Sequence, residues 1–122
     1  MKINLIIESR EINSETVVTS VSAIKKENQD SISYKYIDNF GKTSIEIFKN
    51  SAIISREGVT KSTMILKKGT AVPFEYKNQY INTTFDLFTK ELNISEGRTD
   101  AVYVMYQKGE LINEIALSII EK

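Results

Sequence analysis

Apolar and polar residues alternate along most of this chain. Between residues 30 and 36, for example, Ile32, Tyr34 and Tyr36 are separated by Ser and Lys, which is typical of a strand with one buried face. The same pattern recurs from one end of the chain to the other. It predicts eleven short strands, at residues 2–8, 16–24, 30–36, 43–49, 51–56, 62–67, 72–76, 80–88, 92–95, 101–107 and 111–120.

The residue types agree with strands. The chain has 18 Ile, 7 Val and 10 Thr but only 6 Leu and 5 Ala, and β-branched side chains favour a pleated sheet over a helix. Residues 14–29 are the one ambiguous segment, because Val17, Val21 and Ile24 have helical spacing. The run of β-branched residues from Thr16 favours a strand there, with a helix as the alternative.

The connections are short and contain Gly, Asn or Asp, which suits antiparallel hairpins and leaves no room for crossover helices. So many strands in 122 residues raise the problem of exposed sheet edges, and closure of the sheet removes them. We therefore predict one all-β domain over residues 1–122, an up-and-down antiparallel barrel of roughly 8–10 strands, ahead of an open two-sheet sandwich.

The charges restrict the classes of partner. There are 16 basic and 16 acidic residues, and their scatter argues against nucleic acid as a partner. Glu8 and Arg10 interrupt the apolar start before a signal peptide can form, and no apolar run is long enough to span a bilayer. We expect no membrane partner and a cytoplasmic location.

The chain has no His and no Cys, which excludes serine triads, cysteine nucleophiles, thiolate or imidazole zinc sites and disulfides. Glu75 and Asp86 fall on neighbouring predicted strands, but both are out of phase with the apolar residues and should face solvent. We expect no cofactor and no metal, and the sequence favours a protein that is not an enzyme.

The alternation predicts which residues face the barrel lumen. Arg56 is in phase with Ala52 and Ile54, and an Arg among inward apolar residues needs an anionic partner from the protein or from a ligand. The alternative is that Arg56 lies at the rim, where its strand ends. If Arg56 points inward, Tyr76 and Tyr106 are candidate hydroxyl donors around the same ligand. On the last predicted strand but one, the inward set is taken as Val102, Val104 and Tyr106.

Two functions follow. In the first, the lumen holds a small, partly apolar and anionic ligand, with Arg56, Tyr76 and Tyr106 as polar anchors. In the second, the barrel is a structural or interaction module that uses its outer surface or an exposed edge, for instance as a homodimer. The interaction hypothesis rests on a set of apolar residues predicted to face outward: Tyr103, Met105, Ile112 and Ile120.

From Arg56 onward the order of features resembles the YwiB-like family of bacterial β-barrels. The features are Arg56-Glu57-Gly58, Met64-Ile65-Leu66 with Gly69, Tyr76, Thr89 with Leu92, Tyr106, Gly109 and the alternation over 115–119. The resemblance implies a closed barrel of calycin (lipocalin-like) type, and it implies no activity.

Overall fold

The structure, a computed structural model, describes all 122 residues. It is built from strands alone, joined by short turns. The ten strands are β1 (Lys2–Glu11), β2 (Val17–Glu27), β3 (Ile32–Asp38), β4 (Gly41–Ile47), β5 (Ala52–Gly58), β6 (Lys61–Leu66), β7 (Ala71–Lys77), β8 (Asn82–Ser95), β9 (Arg98–Gln107) and β10 (Glu110–Glu121).

Each strand pairs antiparallel with the next one in the chain, and β10 pairs with β1 to close the barrel. The prediction of an all-β, up-and-down antiparallel barrel is therefore confirmed. Residues 14–29 contain β2, so the strand interpretation of that segment is correct and the helical one is wrong.

One strand stands where two were predicted. The segments 80–88 and 92–95 both belong to β8, which continues through a bulge between Thr89 and Glu91. Before the bulge the inward residues have odd numbers, such as Leu87 and Thr89, and after it they have even numbers, such as Leu92 and Ile94. In the sequence, this interruption of the alternation resembles the end of one strand and the start of another. The count of eleven strands is wrong by this one bulge.

The turns after β1, β3, β5, β7 and β9 surround one end of the barrel, which we call the mouth. Backbone geometry restricts the choice of residue at two places there. Lys108 and Gly109 both have positive φ (52° and 80°), as a two-residue hairpin turn between twisted strands requires. Gly41 and Gly58 are register partners, and a Cβ on Gly41 would lie 2.3 Å from the carbonyl oxygen of Glu57. The two backbones touch there, so only glycine fits.

The opposite end, which we call the base, is packed solid. Leu5, Ala52 and Leu66 have no exposed surface, and small side chains such as Ala23 and Ala101 let the strands approach one another. Thr89 is equally buried and fastens the turn between β6 and β7. Its hydroxyl accepts a hydrogen bond from the Lys67 amide at 3.2 Å, and its carbonyl accepts one from the Gly69 amide at 2.8 Å.

Polar groups also meet inside the base. Lys25 Nζ lies 2.7 Å from Glu121 Oε1, and the Tyr34 hydroxyl donates a hydrogen bond to the same carboxylate. Burial alone would raise the pKa of Glu121, but the hydrogen bonds from Lys25 and Tyr34 outweigh it and hold that pKa below its usual value. The cluster leaves the mouth as the end of the barrel where the lumen is open.

Candidate functional site: a lumen open at the mouth

The mouth half of the barrel contains a cavity of about 690 Å³. Side chains from β1, β3 to β10 and the mouth turns line it, and 14 of the 21 lining residues are hydrophobic. Its size is within the range of about 300–1,000 Å³ that is usual for small-molecule pockets. The lining residues are Ile7, Ser9, Glu11, Tyr36, Ile45, Ile54, Arg56, Thr60, Ser62, Met64, Phe74, Tyr76, Ile81, Thr83, Phe85, Tyr103, Met105, Gln107, Ile115, Leu117 and Ile119.

Arg56 lines this cavity at the mouth. It stands near the end of β5, opposite Thr43 on β4 and Ser62 on β6, in the inward phase of Ile54. Its side chain is exposed, and no carboxylate of the chain forms a salt bridge with it. Both sequence interpretations therefore describe part of the geometry, because Arg56 lies at the rim and also contributes to the lumen wall.

Two phenols face the same space. Tyr36 is 8% exposed and Tyr103 is 5% exposed, and both line the cavity. Neither hydroxyl forms a hydrogen bond with the chain. Every fully enclosed side-chain polar atom does have a hydrogen-bond partner, so these two hydroxyls are not enclosed, and they open onto the cavity that both residues line. Burial raises the pKa of Tyr103 to about 12, while the charge of Arg56 acts in the opposite direction. The Tyr103 hydroxyl is thus a neutral donor at physiological pH.

The predicted phase of β9 is wrong. Thr89 pairs with Tyr103 on one side and Ile115 pairs with it on the other, which turns Tyr103, Met105 and Gln107 inward. Tyr106, predicted as a ligand anchor, consequently lies on the outer surface with Val102 and Val104. Alternation could not decide the phase because both faces of β9 are apolar.

This correction also affects the interaction hypothesis. Tyr103 and Met105 were half of the apolar residues expected on the outside, and they line the lumen. Ile120 is on the outer side but half-buried, which leaves Ile112 as the exposed member of that set, at 49%.

Tyr76, the third predicted anchor, does line the cavity. It is half-buried on β7, opposite Thr83 of β8 and Ser62 of β6. Gln107 donates a hydrogen bond of 2.6 Å to the hydroxyl of Thr83, which ties β8 to β9 beside it. The sequence missed Tyr103 and Gln107, and the only signal for them was the second apolar phase of β9.

The two carboxylates singled out in the sequence lie away from the cavity. Glu75 and Asp86 are exposed on the outer phase of β7 and β8, as predicted, and Glu11 is the only acidic residue of the cavity wall. No group of three or more acidic, His or Cys residues is placed to hold a metal ion. The chain has no helix that could cross a lipid bilayer.

Comparison with known proteins fits this geometry. Residues 2–119 match the model of a family described as a domain of unknown function, DUF1934. The chain belongs to the DUF1934 family. Among solved structures, the DUF1934 barrel is similar to the crystal structure of the YwiB protein from Bacillus subtilis, with a TM-score of 0.75 and 15% sequence identity. The similarity covers 99% of this chain and 92% of that one, and it confirms the YwiB-like resemblance at the level of the fold. No curated protein sequence matches the chain.

Proposed function

We propose that the barrel binds a small, mainly apolar molecule in its lumen, with a hydrogen-bond-accepting or anionic group held near the mouth. The observation that carries this proposal is the cavity of about 690 Å³, onto which the hydroxyls of two otherwise buried residues, Tyr36 and Tyr103, open. The resemblance implies a closed barrel of calycin type and no activity, so the binding site rests on the cavity itself, and we place the chain in the calycin class as part of the proposal.

The lining supports a ligand with an apolar body. The deeper walls are Ile, Met, Phe and Leu side chains. An apolar group that enters the lumen therefore leaves water without depriving a polar group of the wall of its hydrogen bonds. The mouth supports a polar group on that ligand. Arg56 has no carboxylate partner, and Tyr103 and Tyr76 line the same cavity, so an acceptor that binds beside these residues gains charge-assisted hydrogen bonds from Arg56. Tyr103 takes the place in this set that the sequence assigned to Tyr106.

Two matched fluorescent probes test the proposal. The first is 1-anilinonaphthalene-8-sulfonate, which is anionic, and the second is N-phenyl-1-naphthylamine, its neutral counterpart. We expect both to bind saturably at one site per chain, and Arg56→Ala to weaken the sulfonate about tenfold while it leaves the neutral probe unchanged. Equal effects of Arg56→Ala on both probes would remove the anionic group from the proposal.

A blocked lumen provides the control for surface binding. Ile54 faces the cavity, and its neighbour Ile53 faces outward on the same strand. We expect Ile54→Trp to abolish binding of both probes and Ile53→Trp to leave it intact. The chain has no Trp, so each variant also carries its own fluorescent reporter of burial. Binding that survives in a folded Ile54→Trp variant would refute the lumen as the site.

A further inference from the structure

The barrel is closed, but two pairs of neighbouring strands are joined over only part of their length: β6 with β7, at Lys61 and Ser62 alone, and β2 with β3. β2 pairs with β1 from Val17 to Ile24, whereas it pairs with β3 only from Ile24 to Glu27. β3 ends at Asp38 without pairing with the rest of β2, and every residue from 11 to 20 is exposed. The part of β2 from Val17 to Ala23 therefore has a sheet partner on one side only.

The backbone groups on the free side can be named. The amide of Lys25 donates to the carbonyl of Met1 at 2.7 Å, so Lys25 directs its backbone towards β1. Successive residues of a strand direct their N–H and C=O groups to opposite sides, so Val18, Ser20 and Ser22 direct theirs away from β1. These three residues present three donors and three acceptors in a row with no strand to receive them.

The side chains do not protect this edge. Residues 16–24 form the longest uncharged stretch of the chain, and Val17 and Val18 are 64% and 60% exposed. Native proteins usually block an open edge with Lys, Pro or a bulge, none of which occurs between Thr16 and Ala23. Beside the edge lies an outer groove of about 550 Å³, to which Ser22 and Ile24 contribute.

We propose that the free edge of β2 pairs antiparallel with the same edge of a second copy of this chain. A strand edge is self-complementary under a two-fold axis, because each donor meets an acceptor of the other copy. The charges at its ends agree with this arrangement. Antiparallel pairing about Ser20 brings Glu15 of one copy towards Lys25 and Lys26 of the other, of which Lys26 is exposed. The uncharged middle of the strand adds no like-charge repulsion.

This pairing does not depend on the lumen. None of the residues from Val17 to Ser22 lines the cavity, so the dimer and the proposed ligand site can succeed or fail separately.

A proline substitution at Ser20 tests the dimer. The measurement is sedimentation velocity, from low micromolar to near millimolar protein. Ser20→Pro removes a donor on the free side and leaves the hydrogen bonds to β1 in place, while Ser20→Ala keeps the donor. We expect the native chain and Ser20→Ala to shift from monomer to dimer as concentration rises, and Ser20→Pro to remain monomeric with unchanged probe binding in the lumen. If Ser20→Pro does not fold, the double variant Val18→Lys with Ser22→Lys replaces it, because it places like charges across the two-fold axis and leaves the backbone intact.

Amide hydrogen exchange identifies the surface used. The amides of Thr19, Val21 and Ala23 are protected by β1 at any concentration, whereas those of Val18, Ser20 and Ser22 should become protected only as the dimer forms. A native chain that stays monomeric at the highest concentration overturns the proposal. So does a dimer in which the amides of Val18, Ser20 and Ser22 still exchange freely, since it would use another surface.

Discussion

Lys25 Nζ and Glu121 Oε1 lie 2.7 Å apart and join β2 to β10 across the inner face of β1. Their side chains are 12% and 23% exposed, and Tyr34 adds a hydrogen bond to the same carboxylate. The ends of β2 and β10 are thereby joined at the base, while the mouth keeps its cavity.

The first prediction concerns stability in acid. The pKa of Glu121 is lowered in the folded chain, so its contribution is fully present above its usual value of 4.5 and is lost as pH falls through the folded value. We expect Glu121→Gln to lower the free energy of unfolding by about 2 kcal/mol at neutral pH, since Lys25 loses its partner. Urea titrations across the acid range should show a flatter pH dependence for this variant than for the native chain.

Glu27 offers the matched control for that measurement. It lies 3.6 Å from the same Lys25 Nζ but its side chain is 69% exposed. We expect Glu27→Gln to change stability by less than about 0.5 kcal/mol. Equal losses from the two variants would contradict the assignment of the effect to Glu121, the less exposed of the two carboxylates.

The same pair predicts a loss of stability in alkali. The hydrogen bond to Glu121 raises the pKa of Lys25 above its usual 10.5, so its contribution is present below that value and disappears as pH rises through the folded pKa. Unfolding followed by circular dichroism should become easier above this pH in the native chain and change less in Lys25→Met. A steeper alkaline dependence in Lys25→Met would reverse this assignment.

The turn between β6 and β7 depends on Thr89. We expect Thr89→Val to cost about 1–2 kcal/mol, because the amide of Lys67 loses its acceptor while the volume of the side chain is kept. Thr89→Ser should recover most of this loss, and the same exchange at the exposed Thr84 should have almost no effect. If Thr89→Val leaves the free energy of unfolding unchanged, water replaces the hydroxyl as the acceptor for the Lys67 amide.

Two glycines at the mouth allow the cost of a steric clash to be compared with the cost of a positive φ alone. Gly41→Ala should destabilise by more than about 2 kcal/mol, because its Cβ meets the backbone of β5. Gly109 has a φ of 80° and open space around its Cβ position, so Gly109→Ala should cost only about 1 kcal/mol. The midpoints of thermal unfolding give the order, and equal shifts would count against the close approach of Gly41 and Gly58.

Tyr103 and Tyr106 test the corrected phase of β9 directly. If the sulfonate probe binds in the lumen, Tyr103→Phe should weaken it about fivefold through loss of one hydroxyl donor, and Tyr106→Phe should leave it unchanged. Fluorescence titration of the two variants side by side is sufficient. The reverse order would restore the phase that the sequence first suggested.

The sequence by itself determined the class of the fold and most of its strands. The alternation around Ile32, Tyr34 and Tyr36 specifies which side of a strand must be buried, and the scarcity of room between strands permits only hairpins. These are local properties, so they can be read without knowing which strands become neighbours. Arg56 and Tyr76 were identified in this way, since each is in phase with apolar residues of its own strand.

Only the tertiary structure decided the phase of β9, the continuity of β8 and the free edge of β2. β9 is apolar on both sides, and its register with β8 and β10, not its own residues, turns Tyr103 inward. On the outer side the ion pair of Lys90 and Glu114 joins the flanking strands beside Val104, which is only 4% exposed. Closure of the barrel likewise sets where β3 ends beside β2. Pairing between strands is a non-local property, and the same alternation is compatible with a paired or an unpaired edge.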